Sequence, residues 1–95
     1  VYIASMGDAA RRRALDIGEM VRTALPGKKT VVHCGGGKFK AQFKKADGYQ
    51  AEITLVLGED EVANDQVGIK YLREDKEQTT VSTEGLTEHL KQYFA

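Results

Sequence analysis

The chain has 95 residues, its 14 Lys/Arg are balanced by 14 Asp/Glu, and 41% of its residues are hydrophobic, which makes residues 1–95 one domain large enough to bury a core. Its single cysteine excludes an internal disulfide and fits a reducing compartment. No apolar run approaches the roughly 18 residues of a membrane span, and no charged-then-apolar leader is present. The neutral total hides a polarity: residues 1–48 hold ten Lys/Arg against four Asp/Glu, whereas residues 49–95 hold four against ten. The opening Val1-Tyr2-Ile3 is already strand-like and lacks an initiating Met, so the chain reads as a piece of a longer protein.

In chain order, Val1–Ala4 predicts a short apolar strand. Ser5-Met6-Gly7-Asp8 follows with capping-box spacing, although Asp8 itself could be the N-cap. A helix runs from there to Leu25, with Ala10, Ala14, Ile17, Val21, Ala24 and Leu25 on one face and Arg12, Asp16, Glu19 and Thr23 opposite. Pro26-Gly27 ends it. Thr30–His33 is a second short strand. The triple glycine Gly35–Gly37 then turns into a helix over Lys38–Ala46, whose expected buried stripe is Phe39, Phe43 and Ala46. Lys38, Lys40, Lys44 and Lys45 flank that stripe.

Ile53–Leu57 is a continuous β-branched and aliphatic run, as in a strand covered on both faces. An acidic corner, Gly58-Glu59-Asp60-Glu61, follows it. Gln66–Leu72 and Gln78–Ser82 form a hairpin through the charged turn Arg73–Glu77. The last helix starts at Thr83 or Gly85 and turns Leu86, Leu90, Tyr93 and Phe94 inward.

The predicted order β-α-β-α-β-β-β-α gives an α/β fold of three layers with three helices. Two right-handed crossovers make strands 1 to 3 parallel, and the hairpin adds two antiparallel strands, for the spatial order 2-1-3-4-5. Ligands of such sheets gather beyond the carboxyl ends of the parallel strands. Three corners, Ser5–Asp8, His33–Lys38 and Gly58–Asp65, are expected on that rim.

The chemistry at the rim is mixed. Glycines at a strand-to-helix corner expose backbone N–H groups beside concentrated lysines, which suits a polyanion. An acidic corner alongside fits a surface that grips a nucleic-acid backbone and also reads base edges. Phe39 and Phe43, at i, i+4, read as core rather than base-stacking platforms. Arg11, Arg12 and Arg13 point in three directions around a helix and cannot form one patch. Tyr71 stays open between core and surface, and His89 reads as structural. His33 and Cys34 have no third or fourth ligand at suitable spacing and point to opposite strand faces, so no metal is expected. No Ser/His/Asp set is evident, and Gly35-Gly36-Gly37-Lys38-Phe39 lacks the phosphate-loop spacing, so neither catalysis nor nucleotide hydrolysis is supported.

At these residues a resemblance enters. Gly35-Gly36-Gly37-Lys38-Phe39-Lys40-Ala41-Gln42-Phe43-Lys44-Lys45-Ala46-Asp47, followed by Val56-Leu57-Gly58-Glu59-Asp60-Glu61-Val62, resembles the C-terminal anticodon-binding domains of bacterial-type histidyl-tRNA synthetases. The likeness runs over essentially the whole chain, including Leu25-Pro26-Gly27 and Glu88-His89-Leu90-Lys91. It implies a non-catalytic domain that docks on a tRNA anticodon loop, with no cofactor of its own. ATP and Mg would belong to a separate class II catalytic domain of the same protein. It also implies a cytoplasmic location, a homodimeric parent and a monomeric isolated domain. Carried over by position, the RNA-contacting places fall on Gly36, Gly37 and Lys38, on Glu61 and on Lys70, with Lys40 as a further phosphate contact. Some relatives carry a side-chain amide where this chain has glycine, and Arg where it has Lys70, so a forked donor is replaced here by a point charge. Two other readings of the same rim stand beside this one. One is a synthetase-derived domain kept for protein–protein assembly or regulation. The other is a small nucleotide- or flavin-binding α/β domain.

Overall fold

Aliphatic and β-branched runs build one five-stranded sheet in the computed structural model, which describes residues 1–33, 37–74 and 76–94. Its strands are β1 (Tyr2–Ser5), β2 (Val31–Val32), β3 (Ile53–Leu57), β4 (Gln66–Tyr71) and β5 (Thr79–Ser82). The order is β2-β1-β3-β4-β5, as expected from the crossovers. β1 lies parallel between β2 and β3, and β4 and β5 complete the sheet antiparallel.

Among the described residues the helices are α1 (Asp8–Ala24), α2 (Phe39–Gly48), α3 (Glu59–Ala63) and α4 (Leu86–Tyr93). That is four rather than three. The addition is α3, into which the acidic corner folds. Its first turn carries Glu59, Asp60 and Glu61, carboxylates that complement a helix N-terminus. Glu61 Oε1 also accepts the Gly58 N–H at 3.1 Å, so the corner supplies its own cap.

The two faces of the sheet differ. Ile3, Ile53, Leu55, Leu57, Val67, Ile69 and Tyr71 pack against Ala10, Ala14, Ile17 and Val21 of α1 and Leu86 and Leu90 of α4. Each fully buried Val, Leu or Ile side chain here contributes about 1.5–3 kcal/mol. Tyr2, Ala46 and Ala51 form a smaller cluster on the other face, under α2. Side chains alternate along a strand, so Lys70, between Ile69 and Tyr71, belongs to this thinner side.

Two local expectations are corrected. Ser5 does not cap α1: it belongs to β1, and the N-cap is Gly7 at φ 97°, without a side-chain cap bond. Nor do Phe39 and Phe43 form the buried stripe of α2. Gln42 and Ala46 do, while the phenylalanines are half-buried and stack on each other with ring centroids 5.9 Å apart. Spacing i, i+4 puts the two rings on one face, but α2 is turned so that Gln42 rather than that face meets the end of β1. Tyr71 is buried, and its hydroxyl lies 3.1 Å from His89 Nε2, which ties β4 to α4. The Tyr2 hydroxyl meets the buried His33 at Nδ1, 2.5 Å away. No helix of the described residues is long and apolar enough to cross a membrane.

Candidate nucleic-acid interface

The carboxyl ends of β1 and β3 finish level, because the Met6 N–H donates to the Leu57 carbonyl at 3.0 Å. From that line the chain leaves in two directions: through Gly7 into α1 and through Gly58 into α3. The third corner enters through Gly37, also at φ 97°, a left-handed conformation that favours glycine. Lys38 follows as the N-cap of α2. Gln42, fully buried one turn further on, reaches back to both neighbours. Its Oε1 accepts the Ser5 N–H at 2.9 Å, and its Nε2 donates to Ser5 O at 2.7 Å and to Gly37 O at 2.8 Å.

The three corners therefore share one rim. An open cleft of about 490 Å³ runs between them, lined by Met6, Gly7, Phe39, Gly58, Glu59, Asp60 and Glu61. How closely the walls approach is clear from two glycines. A Cβ added at Gly58 would stand 3.7 Å from Phe39 Cε2, and one at Gly7 3.3 Å from Glu59 Oε1. Beside the cleft, Lys38, Lys40, Ala41 and Lys44 line a second open groove of about 380 Å³ along α2.

The charges at the rim are sorted by helix terminus. The first turn of α2 has no acidic residue and no side-chain cap, and it carries Lys38 and Lys40, both exposed. The N-terminal end of the helix dipole and the two lysines add to one positive end. The first turn of α3, across the cleft, carries three carboxylates. Arg13 of α1 pairs with Asp65 just beyond α3, while Arg11 and Arg12 are exposed, as their different helix faces require. Lys70 stands on β4 opposite Thr54 of β3, with its Nζ 5.1 Å from the centre of the Phe43 ring.

Of the residues singled out in the sequence, Glu61 lines the cleft and Lys38 and Lys40 the groove beside it, with Gly37 next to Lys38, whereas Lys70, opposite Thr54, stands further down the sheet from Leu57 and meets α2 at Phe43. Gly36 and Cys34 lie outside the described residues. Glu61 is half-buried and gives one of its roughly four acceptor positions to Gly58. Met6, partly exposed on the cleft wall, and Gln42 escaped sequence reasoning. A signal for Gln42 existed: it sits four residues before Ala46, on the stripe that faces inward.

The far end of the sheet differs. There a smaller cavity of about 130 Å³ is lined by Val1, Tyr2, Lys28, Lys29, Tyr49 and Phe94, among others. Its lysines lie over rings, Lys28 over Phe94 at 4.5 Å and Lys29 over Tyr49 at 5.7 Å. Among the described residues no group of three or more His, Cys, Asp or Glu is placed to hold a metal ion.

The fold is that of a small mixed α/β domain with lysines and an acidic helix start gathered near one end of the sheet. The chain belongs to the anticodon binding domain family, whose model matches residues 1–93. It is 50% identical over 91 residues to a histidine–tRNA ligase from Hydrogenovibrio crunogenus, a match that takes in 96% of this chain and 21% of the relative. A crystal structure of apo histidyl-tRNA synthetase from S. aureus superimposes with a TM-score of 0.82 at 31% identity, over 95% of this chain and 22% of that one. The histidyl-tRNA synthetase of a Nostoc species gives a TM-score of 0.86 at 23% identity, over 99% and 22%, a likeness of fold. The chain thus spans about a fifth of the length of these relatives.

Proposed function

We propose that this chain is the anticodon-recognition module of a histidine–tRNA ligase and that its rim binds the anticodon loop of the tRNA. The observation that supports the proposal is the adjacency of two open depressions, a cleft between Phe39 and the acidic start of α3 and, beside it on α2, a groove lined by Lys38 and Lys40. A single-stranded loop offers the two features such a rim can use, phosphates and splayed bases with open Watson–Crick edges. Lys38 and Lys40 neutralise phosphates, and Gly36 and Gly37 admit the RNA backbone closely. Lys70 supplies a further positive charge from β4.

A histidine anticodon contains two guanines. Guanine presents two adjacent N–H donors on its Watson–Crick edge, and a carboxylate is the side chain that accepts both. Glu61 has that chemistry, since the cap to Gly58 takes only one acceptor position. The domain itself carries out no bond-making step and holds no cofactor. The parent protein activates histidine with ATP and Mg in a class II catalytic domain, works as a cytoplasmic homodimer, and uses this domain to add affinity and specificity at the far end of the tRNA. The isolated domain is monomeric.

The test is a titration of the chain with a histidine-anticodon stem-loop and with one whose anticodon guanines are replaced, at low and high salt. Tighter binding of the first, weakened by salt, is expected. Binding indifferent to both anticodon and salt would remove the proposal.

A further inference from the structure

We infer that Gln42 is a positioning residue of this rim, a buried clamp that fixes the glycine corner against the end of β1; the inference rests on the anticodon-binding reading above. Strand geometry shows what the amide replaces. Val1 O and Ile3 O face β2 and accept the N–H groups of Val31 and His33 at 2.9 Å each. Met6, of the opposite parity, faces β3 through its N–H on Leu57 O. Ser5 has the parity of Val1 and Ile3, so its N–H and C=O point to the β2 side. There, among the described residues, they meet the Gln42 amide at 2.9 and 2.7 Å rather than a backbone partner.

A primary amide can take the place of a strand at one residue because it carries an acceptor and a donor side by side. Its second N–H is then left over, and Gln42 uses it on Gly37 O at 2.8 Å. Gly37 sits at φ 97°, and among the described residues beyond its chain neighbours no heavy atom lies within 4 Å of where a Cβ would be, so their side chains do not pack on it. A glycine so placed has wide backbone freedom, and the bond from Nε2 restricts it. The next residue is Lys38, the cation at the head of α2. The clamp thereby links the glycine corner to the strand end from which Met6 and Gly7 enter the cleft.

Gln42→Met keeps the length and apolar bulk of the side chain and removes all three hydrogen bonds. With the chain held well below its melting transition, discrimination between the histidine-anticodon stem-loop and the guanine-replaced one is expected to fall about tenfold. The salt slope should stay as in the wild type, because every lysine remains. A merely structural role would lower the melting temperature and leave discrimination untouched, and wild-type discrimination in the folded variant overturns the inference. A wild-type chain that fails to distinguish the two stem-loops overturns the anticodon reading itself, so the two failures are told apart. Should Gln42→Met not melt cooperatively, Gln42→Asn carries the same test. It keeps a buried amide but draws it back by one methylene, away from Ser5 and Gly37, and wild-type discrimination there overturns the inference equally.

Discussion

Lys70 Nζ stands 5.1 Å from the centre of the Phe43 ring, so a cation on β4 is held by an aromatic side chain on α2. The two elements come from distant parts of the chain, and the contact brings a positive charge to the flank of the lysine-lined helix. Such a contact at a partly exposed site contributes about 0.5–1 kcal/mol. Phe43→Leu keeps the apolar contact and removes the ring quadrupole. It is expected to weaken stem-loop binding by about 2- to 5-fold through a less ordered Lys70, with thermal stability reduced only slightly. Unchanged affinity in a titration would show that Lys70 needs no such support.

Glu61 caps α3 and, on the function proposed above, also reads a guanine, two tasks that substitution can separate. Glu61→Gln retains an oxygen for the Gly58 N–H, so α3 should persist. It loses the acceptor pair for guanine, and discrimination at one anticodon guanine should fall by about 1–3 kcal/mol. Glu61→Ala should lose both and also cost about 1 kcal/mol of stability through the cap. Competition titrations against stem-loops altered at single anticodon positions check this. Full discrimination in Glu61→Gln would leave the side chain with its capping role alone.

Lys40 is exposed in the first turn of α2 and lines the groove with Lys38 and Lys44. Lys40→Ala should weaken binding to all stem-loops alike and reduce the salt slope by about one. Affinities measured over a salt series decide it. A loss confined to one anticodon would contradict a phosphate role.

Gly7 turns β1 into α1 at φ 97°, and an added Cβ would press on Glu59 Oε1 at 3.3 Å. Gly7→Ala should destabilise the chain by about 1–3 kcal/mol in urea unfolding. Gly27 has no heavy atom within 4 Å of its Cβ position. Gly27→Ala should stay within about 0.5 kcal/mol and serve as the control. Equal effects at the two positions would contradict the strain assigned to the first corner.

Much of this fold was legible because long-range order follows from local rules. Two crossovers and a hairpin dictate the order β2-β1-β3-β4-β5, and that order alone gathers the three corners. What escaped is equally physical. Helix α3, Glu59–Ala63, is too short for apolar periodicity, and its three acids read as an acidic corner rather than a helix, although Gly58 and Glu61 stand at cap spacing. Ser5 looked like a cap because its type and spacing fit, but its backbone belongs to the strand and is engaged by Gln42. Phe39 and Phe43 were placed correctly on a common face, yet spacing cannot say what that face meets. Gln42 lay on the inward stripe with Ala46, but its spacing shows only that it is buried, and its role emerges from its partners Ser5 and Gly37.

The central claim is that RNA meets the rim at the carboxyl ends of the parallel strands. Backbone amide mapping of the isotopically labelled chain, titrated with the histidine-anticodon stem-loop, tests it most directly. Shifts concentrated at Gly37, Lys38, Lys40, Glu61 and Lys70, with Lys29, Tyr49 and Gln50 at the far end unmoved, are the predicted result. Shifts centred on that far end, with Lys38 and Glu61 silent, would contradict it.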